Sequence, residues 1–98
     1  DLKTFKHHNP RFKGDRDSLI NAMKKTVDRF PNLKVKKRTA IAEGNLVAVH
    51  SHMILVPTPE NEGLAYMHIF RFSNGKIAEI WDFGQAVPPM MINENGMF

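Results

Sequence analysis

The chain has 98 residues, 42% of them hydrophobic and 24% charged, with no cysteine and a formal net charge of +4. That length holds one domain with a single core and a modest pocket, and no cysteine means no disulfide and no thiolate metal site, which suits a reducing cytoplasm. No apolar run approaches the roughly eighteen residues of a bilayer span, and the opening "DLKTFKHHNPRF" lacks the apolar centre of a signal peptide.

The stretch "HHNPRFKGDRDS" reads as a loop, because Pro10, Gly14 and short polar side chains favour turns. Asp15 or Asp17 can cap the helix that follows, since a carboxylate accepts from the free N–H groups of a first turn. In "DSLINAMKKTVDRF" the residues Leu19, Ile20, Met23, Val27 and Phe30 recur at helical spacing, and Pro31 ends the element. This is a core helix with no chemistry of its own.

After Pro31 the period changes to two. "LKVKKRTAIAEG" sets Leu33, Val35, Thr39 and Ile41 against Lys34, Lys36 and Arg38, an apolar face and a wet one. "EGN" turns the chain into "LVAVHSHMILVP", a long strand ending at Pro57. "TPENEG" leads into "LAYMHIFRF", and "SNG" into "KIAEIWDFGQ". The remainder, "AVPPMMINENGMF", is an irregular tail. One helix and four antiparallel strands make an α+β fold with the helix against one sheet face. The basic positions Lys24, Lys25 and Lys34 to Arg38 lie on polar faces with no aromatic on which a base could stack, so nucleic acid is not the expected partner.

Asp82, beside the single tryptophan, is a carboxylate in an apolar strand, and its facing depends on the turn in "FSNGKI". A two-residue Asn74-Gly75 loop sets His68 opposite Trp81 and separates His68 from Asp82. A three-residue loop, Ser73 to Gly75, moves the register by one. It then gathers Tyr66, His68, Phe70, Phe72, Ala78, Ile80, Asp82 and Gly84 on one face and leaves Arg71 and Glu79 as neighbours on the other. The second arrangement buries fewer charges and is the expected one. It directs Asp82 and His68 together into an apolar hollow, where desolvation disfavours the charged carboxylate. Such a pair suits general acid–base work at neutral pH, or simply satisfies itself as a buried polar contact.

His50 and His52 share one strand face, with Ser51 on the other, while His7 and His8 lie in the loop with Asn9. An H-x-H pair on a strand can present two imidazoles to zinc or iron. No further ligand stands at a diagnostic spacing, so the pair is assigned to a polar part of the cavity or an interface, with no metal.

"HHNPRFKGDRDSLINAMKKTVDRFPNL", "IAEGNLVAVHSHM", "HIFRFSNGKIAEIWDFGQ" and "NGMF" resemble bacterial SnoaL-like proteins of the nuclear transport factor 2-like superfamily. The resemblance covers nearly the whole chain, and "FRFSNGKIAEIWD" is its most specific block. It implies a cone-shaped α+β fold, with a curved antiparallel sheet wrapped around helices, a pocket between them, and a homodimer. It implies one domain over residues 1–98, with one or two further helices ahead of this starting point in relatives. By analogy with the polyketide cyclases of that superfamily, Asp82 is the acid/base and His68 its neighbour. His8 and Asn9 match polar residues at the pocket rim, and no cofactor is implied. Relatives often carry aspartate in place of His68 and histidine in place of Ile80.

The expected protein is therefore a cytoplasmic, small-molecule pocket protein. Its catalytic pair is Asp82 and His68, and its substrate contacts are His8, Asn9, His50, His52, Tyr66, Phe70 and Ile80. The substrate is a small apolar molecule containing a carbonyl, and the reaction an aldol condensation, cyclisation or isomerisation. The alternative is a ligand-binding or dimerisation domain of the same fold without chemistry.

Overall fold

A computed structural model describes residues 5–98. Its elements are β1 (Lys6–His8), α1 (Arg16–Arg29), β2 (Lys34–Glu43), β3 (Leu46–Ile54), β4 (Leu64–Ser73) and β5 (Lys76–Ala86). The five strands form one curved mixed sheet in the order β1-β5-β4-β3-β2. The neighbours β2 to β5 are antiparallel, as the turn signals require, but β1 runs parallel to β5. β1 corrects the loop reading of "HHNP". Three residues are too short to show a period, and a parallel edge strand needs no hairpin signal.

Asp15 is the N-cap of α1. One carboxylate oxygen accepts from the Ser18 N–H at 3.0 Å and the other from the Ser18 hydroxyl at 2.6 Å. These two bonds hold its carboxyl below the usual carboxylate range. The helix stops at Phe30, before Pro31. Among the described strands α1 touches only β1, and no residue of α1 is buried, which corrects the core-helix reading: Leu19 and Ile20 are half-buried, and Met23 and Val27 are each 58% exposed. None of the described helices is long and apolar enough to cross a membrane.

The β4–β5 connection corrects the expected three-residue loop. Ser73 pairs with Lys76 and Phe72 with Ile77, which leaves Asn74-Gly75 as a two-residue turn. Both central residues have positive φ, 53° and 75°, the type I′ geometry that Asn-Gly favours because its twist matches that of the strands. The expected faces survive through a different device. A β-bulge leaves Ala78 without a partner, so Arg71 opposes Glu79, Phe70 opposes Ile80 and His68 opposes Asp82. The three-residue register would set His68 opposite Ile80 and Tyr66 opposite Asp82; the observed pairs lie two positions further along β5, which keeps the facing and changes the partners.

A second bulge, at Arg38 between the pairs Lys37–Ser51 and Thr39–His50, breaks the alternation of β2. Val35 shares a face with Met53, whereas Thr39 and Ile41 share the opposite face with His50 and Ala48. The single apolar face read from the sequence is therefore split. We call the Asp82 face inner and the other outer. The buried apolar residues are Ala78 and Ile80, both of β5, so the thin core lies beneath the strand that carries Asp82.

Candidate functional site

Directly opposed residues of adjacent strands share a face. The register therefore places Ile80, Asp82 and Gly84 of β5 beside Phe70, His68 and Tyr66 of β4, and these beside Val47, Val49 and Ser51 of β3. Asp82 is 9% exposed at the centre of this inner face. A carboxylate so placed requires hydrogen-bond partners, and three side chains converge on it. His7 Nε2 donates to Oδ2 at 2.7 Å, the Asn9 side-chain amide donates to Oδ1 at 2.5 Å, and His68 Nε2 stands 4.0 Å from Oδ2.

The local sequence explains how His7 and Asn9 arrive there. β1 pairs His7 with Ile80 of β5, which aims its ring at the inner face and leaves Lys6 and His8 on the outer one. "NPRF" then makes a β-turn. The Phe12 N–H donates to the Asn9 carbonyl at 3.1 Å with Pro10 at the second position, while the Arg11 N–H donates to the Asn9 side-chain oxygen at 3.0 Å. With that oxygen occupied, the amide NH2 of Asn9 is presented to Asp82. The His7 side chain is fully buried. The His7 backbone N–H donates to the Gly14 carbonyl at 3.0 Å, and the Phe12 ring lies 5.2 Å from the imidazole.

Along β4 the inner rings form a continuous row. Tyr66 and His68 are 4.9 Å apart between centroids, and His68 and Phe70 are 5.5 Å apart and nearly coplanar in orientation at 2°. Tyr66 opposes Gly84, whose missing side chain is what the phenol ring occupies. Burial, aided by the charge of Asp82, pushes the Tyr66 hydroxyl above its ordinary range, so it remains a donor at neutral pH. Burial also lowers the His68 imidazole, with the Asp82 charge pulling the other way. His68 thus enters the neutral pH range as an uncharged ring able to give or take a proton.

The lowered value has a consequence for stability. As pH falls below the ordinary imidazole value of 6.5, the unfolded chain binds a proton at this position before the folded one does. The contribution of neutral His68 is complete above that value and is lost progressively on acidification. Thermal melts across roughly pH 5 to 8 are expected to show a fall on the acid side that is shallower in His68→Gln. An identical slope in both proteins would contradict the burial of this ring.

Several expected site residues lie elsewhere. His8, expected at the pocket rim, is on the outer face. There its Nε2 bonds Glu79 Oε2 at 2.5 Å and its ring stacks on Trp81 at 4.9 Å. Arg71 bonds the other Glu79 oxygen at 2.9 Å, and these two partners, Arg71 foremost, hold the Glu79 carboxyl low. His50 and His52 also face outward, because Ser51 between them opposes Tyr66 on the inner face. Their rings stack with Phe98, at 5.7 Å and 4.1 Å, and His52 Nε2 bonds the Glu62 carbonyl at 2.6 Å. Alternation pairs the two histidines but does not say which side is the inside. Ser51, 4% exposed, is the inner residue of that triplet. His7, which the sequence places in a loop, is the inner imidazole of β1; alternation sets it opposite His8 in facing, and only the pairing with β5 says which of the two turns inward.

Among the described residues no group of three His, Cys, Asp or Glu side chains is disposed to hold a metal ion. Two surface concavities stand out, one along α1 (Ile20, Met23, Lys24, Val27, Asp28) and one around Phe30 to Lys34 and Leu55 to Pro57. Neither contains Asp82. The chemistry is concentrated on the sheet and not in either hollow.

This sheet and helix are those of the nuclear transport factor 2-like fold. A family model of the SnoaL-like domain matches residues 3–80, and the chain belongs to that family. The matched segment includes His7, Asn9 and His68 and stops short of Asp82. AclR, a proposed hydroxylase from Streptomyces galilaeus, is 20% identical with a TM-score of 0.70, over 87% of this chain and 63% of that one. A proposed polyketide cyclase from Bacillus cereus ATCC 10987 is 17% identical with a TM-score of 0.68, over 83% and 56%. A SnoaL-like protein of unknown function from Burkholderia thailandensis E264 is 12% identical with a TM-score of 0.68, over 85% and 73%. The chain thus spans less than two thirds of the first two, and identities this low establish the fold alone. A search of curated proteins found no match.

Proposed function

We propose that this chain performs cofactor-free proton transfer on a small apolar substrate containing a carbonyl, with Asp82 as the base. The observation that carries this reading is a nearly buried carboxylate held from one side by His7 and Asn9 and bordered on the other by His68 and aromatic rings. A carboxylate offers about four acceptor positions, and these two bonds leave the remaining ones for a substrate C–H lying over Tyr66, Phe70 and Ile80.

In the proposed step Asp82 takes a proton from the carbon next to the carbonyl, and the electron pair moves onto the carbonyl oxygen. The resulting enolate accepts from the N–H of neutral His68 or the hydroxyl of Tyr66, donors already in place before charge develops. The pair then attacks a second carbonyl carbon of the same molecule, whose oxygen takes the proton from Asp82, or it takes the proton back from Asp82 at another position. The first route is a cyclising aldol addition and the second an isomerisation. The names of the Bacillus cereus and Streptomyces galilaeus relatives, a proposed cyclase and a proposed hydroxylase, are in keeping with enzyme chemistry on such a scaffold.

Deuterium exchange at the α-carbon of a panel of aryl ketones and cyclic diketones tests this directly, since exchange requires only the first step. The expected result is protein-dependent exchange in at least one member of the panel. Failure to accelerate exchange in any member of the panel would leave a ligand-binding domain as the correct description.

A further inference from the structure

We propose that His7 is a positioning residue for Asp82, a fixed hydrogen-bond donor locked as the Nε2–H tautomer, while His68 is the imidazole free to exchange protons with a ligand. The role given to Asp82 rests on the reading above; the locking of His7 does not.

The two rings approach the same oxygen, Asp82 Oδ2, in different settings. His7 is fully buried and within 2.7 Å; His68 is 26% exposed at 4.0 Å. The other His7 nitrogen, Nδ1, is buried and has no hydrogen-bond partner among the described residues. A proton there would be a donor removed from water with no acceptor, whereas a bare lone pair loses less. The single ring proton therefore belongs at Nε2, where Oδ2 accepts it. The ring itself is kept from exchanging its two nitrogens by its full burial, its bond to Asp82 Oδ2 and the Phe12 ring beside it. With Asn9 donating to Oδ1, the carboxylate is held by one donor on each oxygen. The arrangement divides labour between the two histidines beside Asp82.

Imidazole nitrogen NMR on the whole labelled chain reads this without any substrate. His7 is expected to show a protonated Nε2 and a bare Nδ1 at neutral pH, with the two nitrogens giving distinct signals rather than an average. The titratable groups facing His68 are Asp82 of β5, His7 of β1 and Tyr66 of its own strand, with Val49 opposite it on β3. In His7→Phe the ring volume remains but Oδ2 loses its donor, so its charge holds protonated His68 more strongly. The His68 midpoint is expected to rise by about one pH unit. In His7→Gln the terminal amide restores a donor, and the midpoint is expected to stay within a few tenths of a unit of the original.

A proton on His7 Nδ1 at neutral pH would overturn the proposal. So would a His68 midpoint that ignores His7→Phe or moves equally in His7→Gln. Should His7→Phe fail to fold, the wild-type tautomer and the His7→Gln midpoint still decide. Absence of ketone exchange alongside the expected NMR result would remove the catalytic reading of Asp82 and leave the locked donor standing.

Discussion

Asp82→Asn is expected to reduce α-carbon exchange by at least about a hundredfold and to lower stability by about 1–3 kcal/mol. The amide has nearly the shape of the carboxylate, so the loss comes from hydrogen-bond direction and from basicity. In the native site both oxygens accept, one from His7 and one from Asn9. The substituted side chain has only one oxygen, and if that accepts from Asn9 its NH2 meets the His7 Nε2–H donor to donor. Relief would require moving the His7 proton to Nδ1, which is buried without a partner. Urea denaturation read beside the exchange assay checks both effects. Unchanged exchange would remove Asp82 as the base. A stability loss with no exchange in either protein would identify a binding domain with a structural polar cluster.

Gly84→Ala is the second large effect. Gly84 opposes Tyr66 across the β4–β5 ladder, and a methyl group there would lie 2.5 and 2.7 Å from two carbons of the phenol ring and 3.2 Å from the Ala65 carbonyl oxygen. These are body atoms of a rigid ring lying on its own strand, so the ring must leave the inner face. Tyr66 is the end of the row that runs through His68 to Phe70, and displacing it takes away both part of the aromatic surface beside Asp82 and a hydroxyl donor. We expect a cost of about 1–3 kcal/mol from overpacking. The same substitution made in a Tyr66→Leu background should cost clearly less, because the two residues are in contact and their effects do not add. Equal costs in both backgrounds would show that Tyr66 does not lie over Gly84.

Much of the fold is legible in the residue order because its signals are local. The stripe from Leu19 to Phe30 with Asp15 before it and Pro31 after it is sufficient for α1, and the period-two runs and Gly-containing turns delimit β2 to β5. Bulges are a different matter. An unpaired Ala78 or Arg38 leaves no mark in a pattern of alternating residues, yet each reverses the facing of everything beyond it. The pairing of His68 with Asp82 on one face was reached from the sequence through an assumed loop length. The chain achieves the same parity with an Asn-Gly turn and a bulge, because both keep Arg71 and Glu79 together on the outer face, where their ion pair is retained.

Residue order alone determined the helix, the antiparallel ladder and, within each strand, which residues share a face: Tyr66, His68 and Phe70 on β4, and Ile80 and Asp82 on β5. These follow from periodicity, which is a property of neighbours along the chain. Tertiary structure alone decided who touches Asp82. His7 is the nearest imidazole because a parallel edge strand brings a distant segment alongside β5, and no local pattern encodes that approach. It also decided that His8, His50 and His52 face away, since alternation identifies which residues travel together and only the assembled sheet says which side is covered.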